Sequence, residues 1–415
     1  MPELALRQGE CQQVTTRKND GVDLDSLAAL RTPDGVAALT AAAELADGDP
    51  LAAASALRSR GIAPDLASAA LTQVALRRRA TVKFGPVSDR MFFTRAGLEQ
   101  ATRTVVTDRR AARLAAAGVT TMADLGCGLG SDALAAARSG IRVYAVDADP
   151  VTAALAAANV AVAGLDDLVT VECADATTVD VSGFDAIFAD PARRGGRGRM
   201  MDPRSWSPPW DFIASLPDRV PRTVLKLAPG IDHALLPAGA EGEWVSVDGD
   251  LVEAAFWCGP LAAAARRATL LRGTSPPVEL TGSGTAAAPV GPVGRFLYDP
   301  DPAVVRAHLV AEFAATVGGR IGDPDIAYVY TDEPVASPFA RRLEITDVLA
   351  FSLKRLRILL RERGVGRLEI RKRGSALEPE QFRRDLRLSG PNAGSLVLTR
   401  VAGTPTVLLC VPTVG

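Results

Sequence analysis

The nine residues Met122–Gly130, M-A-D-L-G-C-G-L-G, restrict the fold of this chain more than any other stretch. Short apolar residues lead into Asp124, glycines alternate at Gly126, Gly128 and Gly130, and Ser131-Asp132 opens the alanine-rich run Ala133–Arg138. That order reads as a buried strand, a tight loop and a helix start. Glycine permits positive φ and the close approach of a ligand. The helix N-terminus beyond it presents unpaired N–H groups. Such a turn belongs at the carboxyl edge of a parallel sheet and suits a nucleotide-like ligand.

The spacing beyond the glycines extends the pattern. A second strand, 141–146, ends in Asp147, about twenty residues past the first glycine, where a carboxylate can accept both hydroxyls of a ribose. A third, 169–172, runs into Cys173-Ala174-Asp175-Ala176, and a fourth, 184–189, into Asp190-Pro191. Each strand delivers an acid or a glycine loop to one edge, and helical runs at 131–139 and 150–163 supply the crossovers that parallel pairing needs. A fifth strand is expected at 223–227, followed by strands at 244–247, 251–257 and 268–271.

This series resembles the class I S-adenosylmethionine-dependent methyltransferases. Over nearly everything after residue 22 the chain resembles a bacterial family that joins a helical N-terminal part, a methyltransferase core and a C-terminal THUMP-like domain. The stretches that carry the likeness are K-F-G at 83–85, F-F-T-R-A-G-L-E-Q-A-T at 92–102, D-L-G-C-G-L-G at 124–130, D-P-A-R-R at 190–194 and I-R-K-R-G at 370–374. The resemblance implies an α/β fold. A Rossmann-like class I sheet would be preceded by an all-α N-terminal domain and followed by a small α+β THUMP-like domain. Expected limits are a disordered polar tail at 1–20, helices and a pre-core segment at 21–117, the core at 118–272, a Pro/Gly/Ser-rich linker at 273–294 and the last domain at 295–415. Within them single helices are expected at 98–117, 302–317 and 346–363.

The resemblance also implies S-adenosyl-L-methionine as cofactor. Gly126, Gly128 and Gly130 would lie under its methionine part, with Asp124 near the ammonium. Asp147 would take the ribose hydroxyls, Asp175 the adenine amine, and the backbone of Ala176 a ring nitrogen. From the pre-core segment Phe93, Thr94, Gln100 and Thr102 would touch cofactor or substrate, a hydrophobic latch between domains being the alternative. Asp190-Pro191 stands where amino-group methyltransferases carry D/N-P-P followed by an aromatic residue. Here Ala192 replaces the second proline and Arg193 the aromatic residue. Asp190 and the Pro191 carbonyl can still accept from an amine, and Arg193 is counted with them as catalytic. A stacking surface must then come from Trp206, Trp210, Phe93 or the Arg193 guanidinium. Arg194 and Arg197 suit a substrate phosphate, or else a solvated loop. His233 is a possible base, with a structural role as the alternative.

Composition bounds the partners. Net charge is −1, so any nucleic-acid surface must be local. One is expected in residues 341–390, where fourteen Arg and Lys face seven Asp and Glu. There a basic helix adjoins Arg371, Lys372 and Arg373, a group that can bind phosphates. This block points to nucleic acid, with a solvated helix face as the alternative, and the THUMP-like resemblance implies RNA as the partner. The reaction the resemblance implies is methylation of an RNA base, at an amino group. A small-molecule methyltransferase and a non-catalytic binding protein remain as alternatives. Five scattered cysteines and two histidines make a metal site or disulfide scaffold unexpected and point to the cytoplasm. No apolar run is long enough to span a membrane.

Overall fold

The computed structural model describes residues 22–193 and 206–412. The chain divides into two compact units. One holds residues up to Leu227 together with Phe256–Leu261, and the other holds Ala228–Ala255 with the residues from Ala262 onward.

The first unit opens with helices α1 (Leu24–Leu30), α2 (Pro33–Glu44), α3 (Pro50–Ser59) and α4 (Pro64–Phe84). Their starts are written in the sequence. Asp23 and Ser26 form a capping box, Thr32 accepts from the Gly35 N–H, and Asp49 accepts from the Ala52 N–H, while Pro33, Pro50 and Pro64 occupy first-turn positions. A 3-10 turn then leads to α5 (Arg95–Gln100) and α6 (Thr104–Ala116). The single helix expected over 98–117 is thus broken. Ala101 adopts an extended ψ of 138°, and the Leu98, Glu99 and Ala101 carbonyls turn to the Lys83 ammonium at 2.7, 2.8 and 2.9 Å.

Five strands follow: β1 (Thr121–Leu125), β2 (Arg142–Asp147), β3 (Val169–Cys173), β4 (Ala186–Ala189) and, after two short pieces, β7 (Thr223–Leu227). The short pieces are β5 (Ala192–Arg193) and β6 (Trp206–Ser207), an antiparallel pair. Helices α7 (Ser131–Arg138), α8 (Pro150–Ala163) and α9 (Trp210–Arg219) make the crossovers. The strands lie in the order β3-β2-β1-β4-β7, all parallel. Chain direction across the sheet reverses between β1 and β4. Loops that leave adjacent strands in opposite directions there open a crevice at the carboxyl edge.

In the second unit β8 (Glu241–Val247) pairs parallel with β10 (Arg266–Leu271), which pairs antiparallel with β11 (Val278–Gly282); β9 (Asp250–Trp257) lies on the far side of β8. The stretch expected as a linker therefore contributes a strand. A second sheet has the order β13-β14-β12-β15-β18-β17-β16, built from β12 (Phe296–Pro300), β13 (Arg320–Ile321), β14 (Val329–Thr331), β15 (Ala340–Ala350), β16 (Val365–Lys372), β17 (Asn392–Val401) and β18 (Thr404–Pro412). The helix expected over 302–317 is two, α10 (Pro302–Arg306) and α11 (Val310–Thr316), separated by His308 at φ +60°. The helix expected from Thr346 begins only at Leu353, as α12 (Leu353–Glu362). Asp347, Val348 and Leu349 pair instead with Leu409, Leu408 and Val407 of β18. Beta-branched alternation in I-T-D-V, with partners on a strand sixty residues later, outweighs the local helical spacing. One sheet face buries Leu396, Leu398, Val407 and Leu409 against Leu356 and Leu360 of α12 and Phe382 and Leu386 of α13 (Pro379–Leu386). The other face buries Leu297, Tyr328, Tyr330, Val397 and Leu408.

Candidate active site

The glycine loop forms the floor of the crevice in the first unit. Gly126, Gly128 and Gly130 take φ of +91°, +56° and +81°, all in the region that disfavours a side chain. A Cβ on Gly126 would come within 3.1 Å of the Asp190 carbonyl oxygen, so glycine here lets the loops after β1 and β4 touch. A Cβ on Gly128 would meet nothing within 4 Å, which marks open space above the loop. The Gly126 and Cys127 N–H groups both donate to the Val146 carbonyl at 2.9 Å, tying the loop to β2.

Asp124, on β1, is fully buried, and neither of its carboxylate oxygens has a hydrogen-bond partner. Burial pushes its carboxyl well above the carboxylate range, and Asp132, Asp190 and Asp147 push the same way against the pull of Arg110. A buried acid without a donor is costly. It fits a cationic ligand group that supplies the missing donors. Asp132 has its own partner, the buried Arg110 of α6, whose guanidinium also lies 4.8 Å from the Phe188 ring centre. Asp147 ends β2 and accepts from the Gly128 N–H at 3.1 Å and the Asp149 N–H at 3.0 Å. Burial raises its carboxyl to about 6. Asp175 is exposed and caps its own turn, accepting from Thr177 N–H and hydroxyl at 2.9 and 2.8 Å; Ala176 is buried beside it.

Asp190 follows β4, and its Oδ2 is ion-paired with the Lys226 ammonium of β7. The lysine side chain is 13% exposed and the aspartate 34%, so the pair faces the crevice with the carboxylate outermost. Sequence reasoning passed over Lys226. Its only signal was a cation inside the apolar strand T-V-L-K-L. Pro191 is buried, and pairing of β5 with β6 sets Trp206 opposite Arg193 in register. Trp206 is buried and meets the half-buried Trp210 edge to face at 5.6 Å. Arg194 and Arg197 lie outside the described residues.

The pre-core segment is a latch more than a lining. Phe93 is fully buried and Phe92 nearly so, which removes Phe93 from the candidate stacking surfaces. Gln73 of α4 grips Phe93 through both backbone groups at 2.8 and 3.0 Å. Asn159 of α8 accepts from the Phe92 N–H at 2.7 Å and donates to the Phe92 and Leu129 carbonyls at 3.2 and 3.1 Å. Thr94 caps α5 by accepting from the Gly97 N–H at 3.0 Å. Gly97 has no room for a Cβ, which would fall 2.9 Å from Leu129 Cδ2 in the glycine loop. Thr102 is buried and Gln100 exposed.

In the second unit the expected phosphate patch is neutralised from within. Arg371 pairs with Asp299 and Glu369, Arg373 pairs with Asp299 at 2.9 Å and lies over the Tyr328 ring, and Lys372 donates to the Leu377 carbonyl at 2.8 Å. Asp299, more than seventy residues away in sequence, and the near neighbour Glu369 engage the two arginines. His233 is sandwiched between His308 and Trp244, with ring centres 3.8 and 4.5 Å away. Burial and the neighbouring His308, Arg266 and Arg306 depress it to about 4. Its place in this stack supports the structural reading. Among the described residues no group of three or more His, Cys, Asp or Glu is placed to hold a metal ion, and no helix is long and apolar enough to cross a membrane.

A parallel sheet with a glycine loop at its switch point, an orphaned buried acid beneath that loop and acids ending the neighbouring strands defines a class I methyltransferase. Family models agree: one described as Methyltransferase domain matches residues 122–192, one described as THUMP domain-like matches 340–412, and a domain of unknown function matches 23–80. Two uncharacterized S-adenosylmethionine-dependent methyltransferases of Mycobacterium tuberculosis, from strains CDC 1551 / Oshkosh and H37Rv, are each 34% identical over 339 residues, covering 79% of this chain and 90% of theirs. The chain belongs to this family of S-adenosylmethionine-dependent methyltransferases and carries a C-terminal THUMP-like domain. The fold is shared with the crystal structure of a candidate methyltransferase from Porphyromonas gingivalis W83, at 20% identity and a TM-score of 0.72 over 95% of this chain and all of that one.

Proposed function

We propose that this methyltransferase acts on a base in RNA, with an amino group as the acceptor. The observation that carries the reading is Asp190. Its backbone adjoins Gly126, and its carboxylate is held on one oxygen by Lys226. A carboxylate so held can only accept hydrogen bonds, through Oδ1, and therefore suits an acceptor that presents N–H. The Pro191 carbonyl is the second acceptor in this reading, and the half-buried Trp210 offers aromatic surface where the usual aromatic residue is replaced by Arg193.

Bound over the glycine loop, S-adenosylmethionine supplies an electrophilic methyl on a sulfonium. The residues of the chain bind it, aim the nucleophile and exclude water. Asp124 is assigned to the cofactor ammonium, which meets its two orphaned oxygens, and Asp147 to the ribose hydroxyls. Asp175 and the Ala176 N–H are assigned to adenine. Open space above Gly128 admits the methionine part. Thr94 and Thr102 are assigned a supporting place near the cofactor through the latch, and Gln100 an exposed one. Asp147, together with the donor-less Asp124 beneath the loop, favours a ligand that brings a cationic donor over a neutral one.

The test is transfer of tritium from labelled S-adenosylmethionine to total RNA from a strain lacking the gene. Label in one size class, lost with Asp190→Ala while cofactor binding persists, supports the reading. Label in small molecules alone moves the substrate to metabolites. No transfer by a wild-type preparation that binds the cofactor overturns the enzymatic reading.

A further inference from the structure

The outward face of α12 is the feature that neither the active site nor the core uses. Its inward residues Leu356 and Leu360 are buried in the domain core. At helical spacing on the opposite side stand Lys354, Ile358 and Arg361, with Arg355 and Glu362 at the margins. Four acids near this helix already have cationic partners, whereas Glu362 and Asp385 have none among the described residues. Asp347 is held by Arg363, Glu369 by Arg341 and Arg371, Asp299 by Arg371 and Arg373, and Glu380 by Arg383. Lys354, Arg355 and Arg361 are exposed and have no acid partner among the described residues. Ile358 among them is 48% exposed, and Phe351, just before the helix, 39%.

We propose that this face docks the phosphate backbone of the RNA, a proposal that rests on the RNA reading above. Lys354 and Arg361 stand seven residues apart, roughly 10 Å along the helix axis. That reach matches about three successive nucleotide steps of a strand. Ile358 gives bases an apolar surface between the cations, and the part-exposed Phe351 ring, which meets core Phe382 at 6.0 Å, lies just before the helix. A membrane is the poorer occupant. An interfacial helix buries its apolar face in lipid, whereas the apolar face of α12 is committed to its own sheet. The arrangement moves the contact away from Arg371 and Arg373, whose charge is satisfied inside the domain.

The experiment uses the full chain and a fluorescein-labelled RNA hairpin, titrated between about 50 and about 200 mM salt. Lys354→Gln/Arg355→Gln/Arg361→Gln is expected to weaken binding at least tenfold at low salt. It should also flatten the log–log salt slope by about two, from the loss of three phosphate contacts at ~0.7–0.9 each. Arg31→Gln/Arg58→Gln, exposed cations of the N-terminal helices, should leave both unchanged. S-adenosylmethionine affinity should be the same in all three proteins, which reports intact folding of the core. Wild-type affinity and slope in the α12 variant overturn the proposal, as does an equal loss in the Arg31/Arg58 variant. Binding of the wild type to phosphatidylserine vesicles but not to the hairpin overturns it too. If the wild type binds RNA through α12 yet transfers no methyl to it, the catalytic reading fails and the docking face stands.

Discussion

Asp147 in the glycine crevice ties cofactor binding to pH. Asp147 has its folded value raised to about 6, above the unfolded range. Its contribution to stability is therefore fullest below the unfolded value and is lost as pH rises through about 6. Cofactor binding runs the other way, because two ribose hydroxyls need an ionised acceptor. Affinity for S-adenosylmethionine should fall as pH drops through about 6, and the same drop should stabilise the ligand-free protein. Calorimetry and thermal melts from about pH 5 to about pH 8 would show the opposing trends, and Asp147→Asn should flatten both. Asp147→Ala should cost about 1–3 kcal/mol of cofactor affinity. Lys226 is a positioning residue in this scheme. Lys226→Met should slow transfer by about 10–100-fold, the worth of one charged hydrogen bond, and leave cofactor affinity unchanged; Lys226→Arg should restore most of the rate. Equal loss in both variants would remove the positioning role. Asp190 was legible in the sequence because its motif is local. Lys226 was not, because 36 residues separate the partners and only the adjacency of β4 and β7 joins them.

At the scale of elements, the latch explains why K-F-G and F-F-T-R-A-G stand where they do. Lys83 draws three carbonyls of the α5 region, Phe84 packs on Phe93 at 5.5 Å, and Gly97 lets α5 approach Leu129. The sequence located this segment, and buried amides decided what it does. Asn159 satisfies both backbone groups of Phe92 and the carbonyl of the glycine-loop residue Leu129. Asn159→Ala should therefore lower stability by about 3 kcal/mol, from buried backbone groups left without partners, and should weaken the cofactor as the loop loosens. Urea unfolding with and without S-adenosylmethionine would measure both, and a loss below about 0.5 kcal/mol would remove the latch role. Helix starts were legible from Asp, Thr and Pro. The breaks at Ala101 and His308 were not, because the contacts that stabilise them are tertiary.

For the whole molecule, a net charge of −1 hides an uneven distribution. Anionic residues gather in the glycine crevice, and cations without acid partners among the described residues stand on α12. The two ligands should then respond differently to salt. RNA affinity should fall steeply between about 50 and about 200 mM, since it depends on released counterions. Cofactor affinity should change little, since its contacts are few and buried. Parallel titrations of one preparation would test this, and equal slopes would count against the RNA face.

The sequence by itself determined the parallel sheet, the glycine loop and the acids at its edge, because strand, turn and helix signals there lie within a few residues of one another. Tertiary structure decided which charges are available to do chemistry. Arg371 and Arg373 look like an open basic run until Asp299, more than seventy residues away, is brought against them. Asp124 looks like one acid among many until burial strips it of donors. A charge acts according to its neighbours and its exposure to water, and both are properties of the folded chain.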